Sequence, residues 1–416
     1  MLNWQKGHKQ MNLPKKIYCR TFQTAFKIAL PFLPYRKPEI SGSVSHIPDI
    51  LTKNGCDTAL IVTDAGIRKL GLTKGLEETL SHHNIPYFIY DKTNVNPTTE
   101  NDDEAVAMYT AGNCNAIIGF GGGSSMDCAK ALGVRIARPN RSLAQMKGIL
   151  KVHKKLPLLI AVPTTAGTGS ETTLAAVITD SKTRHKYAIN DFPLIPRYAV
   201  LDPEVTLSLP PFITATTGMD ALTHAVESFI GNSTTKETRE DALRAVKLIF
   251  ENLDTAYTDG QNINARKNML EASFYAGCAF TKSYVGYVHA IAHSLGGEYN
   301  VPHGLANSVL LPFLLEAYGK SVYKKLSQLA ASAGIANKDT PPELAAKKFI
   351  RAVKDMKKRF SIGDTIKEIK EEDIVKLSHY ADKEANPLYP VPVLMDAAEL
   401  EKFYYMLMEK ESHPAI

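Results

Sequence analysis

Five side chains in the second half of the sequence have the types and spacing to hold a metal ion. Asp220 and His224 stand four apart in Gly218-Met219-Asp220-Ala221-Leu222-Thr223-His224-Ala225. On a helix that spacing puts both on one face. His289 and His293 repeat it in Val288-His289-Ala290-Ile291-Ala292-His293, and Pro302-His303-Gly304 follows. Ala, Leu, Val and Ile surround both pairs, which predicts burial. Buried carboxylates and imidazoles need partners, and one divalent cation satisfies several at once. A lone histidine is more often a satisfied core residue, but two helical pairs plus a third element are a stronger signal. Nitrogen and oxygen donors without sulfur suit Fe(II), Zn(II), Mn(II) or Ni(II). Spacing alone leaves open which four of the five bind, and would pair His289 with His293. His82-His83 reads as an exposed helix end, and His8, His46, His153, His185, His379 and His413 lie in polar stretches.

The first half carries a different kind of chemistry. Gly119-Phe120-Gly121-Gly122-Gly123-Ser124-Ser125-Met126-Asp127 follows an apolar run and opens a helical one. Glycines let backbone amides approach a phosphate, and a helix N-terminus adds partial positive charge. Ser124 reads as an N-cap, with Asp127 completing a variant capping box. A second loop, Pro163-Thr164-Thr165-Ala166-Gly167-Thr168-Gly169-Ser170-Glu171, is a donor-rich cradle suited to phosphate, ribose or an amide edge. Thr168 or Ser170 would cap a turn there. Asp64 ends an earlier apolar run, where an acid could bond a ribose hydroxyl and repel a 2′-phosphate, favouring NAD over NADP. It precedes the glycine turn in sequence, which points to a strand order unlike the standard dinucleotide fold.

The elements that must position these groups divide the chain. Residues 59–64, 86–90, 116–120 and 158–162 are short uninterrupted apolar runs separated by helical stretches, the signature of a parallel sheet covered on both faces. After Leu209-Pro210-Pro211 the strand signal fades, and segments 217–229, 239–253, 265–280 and 344–360 read as helices. We expect a basic arm over residues 1–40, an α/β dinucleotide-binding domain over 41–210, and an all-helical metal-binding domain over 211–416.

The net charge of +6 suggests nucleic acid only until it is divided. Residues 1–40 hold eight basic and one acidic side chain, and the remaining chain 41 basic and 42 acidic. The body is therefore nearly neutral and offers no electrostatic footprint for DNA or RNA. No apolar run is long enough for a transmembrane helix. The arm lacks the apolar core and cleavage site of a secretory signal. Lys15, Lys16 and Arg20 with Phe22 to Tyr35 could touch an anionic membrane, but packing on the chain's own body or on a sister subunit is the expectation. Five scattered cysteines without a Cys-x-x-Cys pair fit reduced thiols and a cytoplasmic protein.

Taken together, these motifs resemble the iron-containing, or group III, alcohol dehydrogenase family from about residue 40 to the C-terminus. The resemblance rests on Gly-Gly-Gly-Ser-x-x-Asp at 121–127, Pro-Thr-Thr-Ala-Gly-Thr-Gly-Ser-Glu at 163–171, Asp-Ala-x-Thr-His-Ala-x-Glu at 220–227, and His-Ala-x-Ala-His-x-Leu-Gly-Gly with Pro-His-Gly at 289–304. Asn386-Pro387 and Pro390-Val391-Pro392 are similar too. It implies a Rossmann-like α/β domain with an all-α domain, the dehydroquinate synthase-like architecture. It implies metal ligation by Asp220, His224, His289 and His303, Fe(II) first and Zn(II) or Mn(II) next, leaving His293 near the site as a catalytic proton shuttle. It implies the pyrophosphate of NAD on Gly122, Gly123 and Ser124, the nicotinamide–ribose path along Thr164, Thr165, Thr173 and Lys186, and the adenosine ribose on Asp64, with NADP less favoured; Gly121, Asp127, Thr168 and Ser170 of the two loops are cofactor-binding candidates beside them. The implied reaction is hydride transfer between NAD(H) and a small alcohol or aldehyde, the metal acting as Lewis acid on the substrate oxygen. Phe280 and Tyr284 are candidate substrate walls, and a homodimer is expected. Lys282-Ser283-Tyr284 departs from the family pattern, and the arm is longer than in many relatives. Rival readings are a glycerol-type polyol dehydrogenase, a hydroxyacid–oxoacid transhydrogenase, a dehydroquinate synthase-like lyase, and a non-catalytic assembly protein with a closed structural metal.

Overall fold

A computed structural model describes residues 11–183 and 185–409. The chain forms two units. One comprises residues 34–210 with 258–281; the other comprises the described residues before 34, 211–257, and those from 282 on. The break at Pro210/Pro211 coincides with the change of texture in the sequence. The units are not contiguous, however. Most of the helix Ile263–Ser283 belongs to the α/β unit, and the arm expected over residues 1–40 is divided: its described residues before 34 group with the helical unit, whereas 34–40 belong to the α/β unit and lead into the strand Glu39–Ser41.

Among the described residues, the α/β unit holds nine strands: β1 (Glu39–Ser41), β2 (Ala59–Val62), β3 (Tyr87–Tyr90), β4 (Ala116–Gly121), β5 (Gly148–Ile149), β6 (Leu158–Pro163), β7 (Ala175–Thr179), β8 (Lys186–Asn190) and β9 (Tyr198–Val200). Six form one parallel sheet in the order β1-β9-β6-β4-β2-β3. The pleat separates its two faces. Ala59, Ile61, Ile118, Phe120, Ile160 and Val162 pack under the helices Ile47–Lys53 and Lys74–His82. Leu60, Val62, Ile117 and Leu159 pack under Thr99–Ala111 and Gly123–Ala137. Both faces are apolar because both are covered, which is why these strands read as continuous hydrophobic runs. The sequence pattern gives no signal for β1, β9 or a second sheet. That sheet, β5-β8-β7, joins an antiparallel hairpin to a two-residue edge and covers the outer side of Gly123–Ala137 through Ile178, Tyr187 and Ile189.

The helical unit is built around Pro211–Ile230, whose side chains from Thr214 onward are almost all buried, as expected of a helix apolar on every side. Tyr287–Tyr299 and His303–Tyr318 follow one another across a short link. Asn300, in the left-handed conformation at φ +56°, stops the first, and Pro302 caps the start of the second. His303–Tyr318 packs against both of the others, and Ile374–Ala385 packs against Tyr287–Tyr299. At the N-terminus, the Asn12 side chain accepts from the Lys15 amide and starts the helix Leu13–Ala29. Residues 1–10 of the predicted arm lie outside the described residues. No helix among the described residues is long and apolar enough to cross a membrane.

Candidate functional site

Three helices of the helical unit bring four of the five candidate ligands together. Asp220 and His224 project from Pro211–Ile230, His289 from Tyr287–Tyr299, and His303 stands first in its helix. One donor atom from each lies within 4.8 Å of every other. Asp220 Oδ1 is 3.6 Å from His303 Nε2 and 4.0 Å from both His289 Nε2 and His224 Nδ1. Ligands at about 2.1 Å from one tetrahedral ion stand about 3.4 Å apart, so the donor set fits an ion with slight contraction. His289 is 2% exposed, and its Nε2 has no hydrogen-bond partner among the described residues. Burial, with His224, His303 and His293 nearby, holds its pKa well below the usual imidazole value. A neutral ring with an orphaned nitrogen facing a carboxylate is what a cation ligand requires.

The other nitrogen of His289 is fixed. Its Nδ1 donates to Glu227 Oε2 at 2.6 Å. Glu227 lies seven residues after Asp220 and three after His224, on the same buried stretch of helix. Its carboxylate also accepts from the amides of Gly286 and Val288, each at 2.9 Å. Burial pushes its pKa up to about 7 despite these donors. A side chain at position 286 would not fit, because a Cβ there would lie 2.5 Å from Glu227 Oε1. Asn307 Nδ2 donates to Asp220 Oδ1 at 2.6 Å and lies 3.0 Å from His303 Nε2. Outer partners of this kind set the tautomer and aim of metal ligands.

In the α/β unit, β4 and β6 are neighbours, with Gly121 opposite Pro163. The two donor-rich loops therefore leave the sheet side by side, and the Thr164 amide donates to the Gly121 carbonyl at 3.1 Å. Gly121 has φ +149°, and a Cβ on it would meet Ser125 Oγ at 2.5 Å, so only glycine fits. A Cβ on Gly122 or Gly123 would project to within 3.7 Å of Thr165 or 3.5 Å of Thr168 respectively. The glycine turn and the threonine loop therefore face each other at the N-terminus of Gly123–Ala137. Next to β4, Asp64 follows β2, and its Oδ2 accepts from Ser125 Oγ at 3.3 Å.

Family models match both halves of the chain: "Iron-containing alcohol dehydrogenase" over residues 40–203 and "Fe-containing alcohol dehydrogenase family, C-terminal" over 214–407. An NAD-dependent methanol dehydrogenase from Bacillus methanolicus is 34% identical over 89% of this chain and 98% of its own. The chain belongs to the iron-containing alcohol dehydrogenase family. It is thus an oxidoreductase by family. A crystal structure of 1,3-propanediol oxidoreductase superposes with a TM-score of 0.85 at 33% identity, covering 90% of this chain and 98% of that one. A sulfoacetaldehyde reductase from Bifidobacterium kashiwanohense, solved with NAD+, gives 0.80 at 29% identity over 91% and 99%. The α/β sheet with a helical second part is the fold of these dehydrogenases and of the dehydroquinate synthase-like architecture.

Several residues of this family member sit differently from the sequence reading. Ser124 is not the N-cap: Gly122 occupies that position, and the Ser124 hydroxyl instead donates to the Val95 carbonyl. Asp127 closes no capping box. It lies among Lys130, Lys186, Ser170 and the Val177 amide, and desolvation raises its pKa to about 6 against their pull. Ser170 begins a short 3-10 turn whose N-cap is Gly169, and the Thr168 hydroxyl accepts from the Ser170 amide at 3.3 Å. Thr164, Ser170 and Thr173 are buried beneath the loop, whereas Thr165 and Thr168 are half-exposed. Lys186 Nζ donates to Asn96 Oδ1 at 2.9 Å. Asp64 caps the helix Ala65–Lys69 through Ile67. His293 stays outside the four-donor cluster: its ring stacks on His303 at 5.1 Å, and its Nδ1 bonds Glu384 Oε1 at 2.6 Å. Phe280 is half-buried near the end of Ile263–Ser283, and Tyr284 follows that helix.

The structure adds Glu227, Asn307, Glu384 and Lys130, none of which the sequence assigned to a site. Lys130 is fully buried and donates to the carbonyls of Ser170, Thr173 and Ala175 and to Thr173 Oγ1, so it anchors the threonine loop from below. Desolvation lowers its pKa to about 8. Glu227 is visible as the last letter of the Asp-Ala-x-Thr-His-Ala-x-Glu motif, a charged residue in an apolar helix. Glu384 leaves no signal, because its partner lies 91 residues away.

Proposed function

We propose that this chain oxidises small alcohols, or reduces the matching aldehydes, with NAD(H) and one divalent metal ion. The observation that carries the reading is the Asp220–His224–His289–His303 cluster, buried except at half-exposed His303, with an orphaned His289 Nε2. Those four residues would hold Fe(II), with Zn(II) or Mn(II) as the other fitting ions. Bound there, the ion supplies Lewis acidity that lowers the alcohol pKa and stabilises charge on its oxygen, while NAD supplies the hydride acceptor. Glu227 keeps the His289 proton on Nδ1, so that Nε2 faces the cluster. Glu384 does the same for His293, which makes His293 Nε2 the nitrogen that takes up the alcohol proton. Gly121, Gly122, Gly123 and Ser124 would receive the pyrophosphate, Thr165 and Thr168 the facing side of the cradle, and Asp64 the adenosine ribose. Asp127, Thr164, Ser170, Thr173 and Lys186 support the same region.

The relatives named above act, by their names, on methanol, 1,3-propanediol and sulfoacetaldehyde. All are small oxygen-bearing molecules, which favours a small alcohol or aldehyde here. The test is metal analysis of the purified protein, removal of metal by chelation, and a panel of alcohols and aldehydes followed by NADH absorbance. Stripped protein should lose turnover and regain it with Fe(II), Zn(II) or Mn(II). Full turnover without metal would refute the Lewis-acid role.

A further inference from the structure

The N-terminal helix Leu13–Ala29 is joined to the segment after Ile374–Ala385 by more than surface packing. Gln23 is 3% exposed, and its Nε2 donates to the carbonyls of Pro387 at 3.2 Å and Tyr389 at 2.7 Å. Arg20 Nη1 donates to Gln23 Oε1 at 2.8 Å, which fixes the amide with its N–H groups towards the loop. The same guanidinium reaches the carbonyls of Val391 at 2.7 Å and Pro392 at 2.9 Å. Ser233 Oγ donates to the Gln23 carbonyl at 3.3 Å. Lys15 Nζ meets both Asp382 oxygens, and Asp382 Oδ1 in turn accepts from Asn386 Nδ2 at 2.7 Å. Two side chains of one helix, Gln23 and Arg20, thus satisfy four main-chain oxygens of one short loop.

That loop carries Tyr389. The Tyr389 hydroxyl donates to Glu384 Oε1 at 2.7 Å, the same oxygen that accepts from His293 Nδ1. The Tyr389 ring lies 6.2 Å from that of Tyr284, and Phe26 of the N-terminal helix meets Tyr284 edge-on at 5.1 Å. Tyr284 holds φ +60°, a conformation that is strained for a bulky residue and persists only when neighbours enforce it. The helix therefore touches the Tyr284 ring through Phe26 and holds the Tyr389 main chain through Gln23.

We propose that the N-terminal helix is a clamp that positions Tyr284 and Tyr389 as the substrate-side wall and, through Tyr389 and Glu384, sets the His293 imidazole. This rests on the reading of Tyr284 and His293 as substrate-side groups. Gln23 and Arg20 touch no reacting atom; they are positioning residues, and Phe26 tunes the size of alcohol accepted.

The test uses the full-length, metal-loaded protein. Gln23→Glu keeps the shape of residue 23, removes both N–H donors, and sets an acceptor against carbonyl oxygens. Hydrogen exchange over residues 386–392 is measured beside kcat and KM for straight-chain primary alcohols of increasing length. The expected result is faster exchange in that loop, a kcat about tenfold lower, and a changed long-to-short preference, with metal content and NADH binding unaltered. Phe26→Ala should shift the preference towards longer alcohols while exchange in the loop stays as in the parent. If Gln23→Glu does not fold, Arg20→Lys gives the same readouts. Parent-like exchange over 386–392 overturns the clamp, and so does a loosened loop with unchanged kcat and unchanged length preference. Absence of any NAD-linked turnover in the parent counts against the proposed function instead; the exchange result then still decides for or against the clamp.

Discussion

The turn at residues 121–124 and the cluster around Asp220 are built from different parts of the chain. The turn presents main chain. It requires the absence of a side chain at Gly121, and its residues are consecutive, so β4 and the helix after it are enough to shape it. The cluster presents side chains. Its four donors come from three helices and are useful only when packing brings them within 4.8 Å. A main-chain site should therefore be sensitive to an added Cβ and indifferent to loss of distant side chains. A side-chain site should behave in the opposite way. The supports differ in the same sense: Lys130 holds backbone carbonyls under the threonine loop, whereas Glu227 holds a ring nitrogen.

The largest expected effect is that of His289→Ala. Metal content should collapse and kcat fall by about a hundredfold or more, while NADH still binds in a fluorescence titration. Loss of NADH binding together with the metal would break the separation of the two regions. Gly121→Ala should act on the other side alone. The forced φ +149° and the approach to Ser125 Oγ should cost on the order of 1–3 kcal/mol in denaturant unfolding and weaken NADH binding, with metal content unchanged. Parent-like NADH affinity in a folded Gly121→Ala protein would remove the turn from the cofactor site. Glu227→Gln should weaken metal binding about 10- to 100-fold in competition with a chelator, because the His289 tautomer is no longer enforced. An unchanged metal affinity would reduce Glu227 to a fold residue. The smallest effect is expected of Asp64→Gly, which should raise the use of NADP relative to NAD by a few fold. As a helix N-cap, Asp replaced by Gly costs only a few tenths of a kcal/mol, so stability should hardly move. An unchanged cofactor preference with that small cost would leave Asp64 as a cap only.

Much of the α/β sheet is legible because β2, β4 and β6 are buried on both faces, or nearly so, and read as unbroken apolar runs, as does the half-exposed edge strand β3. The strands β1 and β9 have three residues each, too few to show a period. The hairpin of β7 and β8 alternates in burial, but its short strands lie between loops rich in Thr, Asp and Lys, which hide the alternation. The N-terminal arm reads as charge, although Lys15 and Arg20 are engaged by Asp382 and by loop carbonyls. The capping role expected of Ser124 fails because Gly122 already has the extended conformation that an N-cap needs, which puts Ser124 inside the first turn.

The four-donor cluster around Asp220 marks the boundary between the two sources of information. Residue order alone specified which donor types were available, which faces of which helices they occupy, and where the chain must turn without a side chain. These follow from helical spacing and from local steric limits, which depend on neighbours in the chain. Spacing could not choose between His293 and His303, because i, i+4 names a face and not a depth along it. Helix packing brought His303 to 3.6 Å from Asp220 Oδ1 and left His293 stacked on it, bonded to Glu384. It also placed Phe26 and Gln23 against residues far along the chain, Tyr284 and Tyr389. Those distances are set by how helices pack, and packing depends on every residue in the contact rather than on the order of a few.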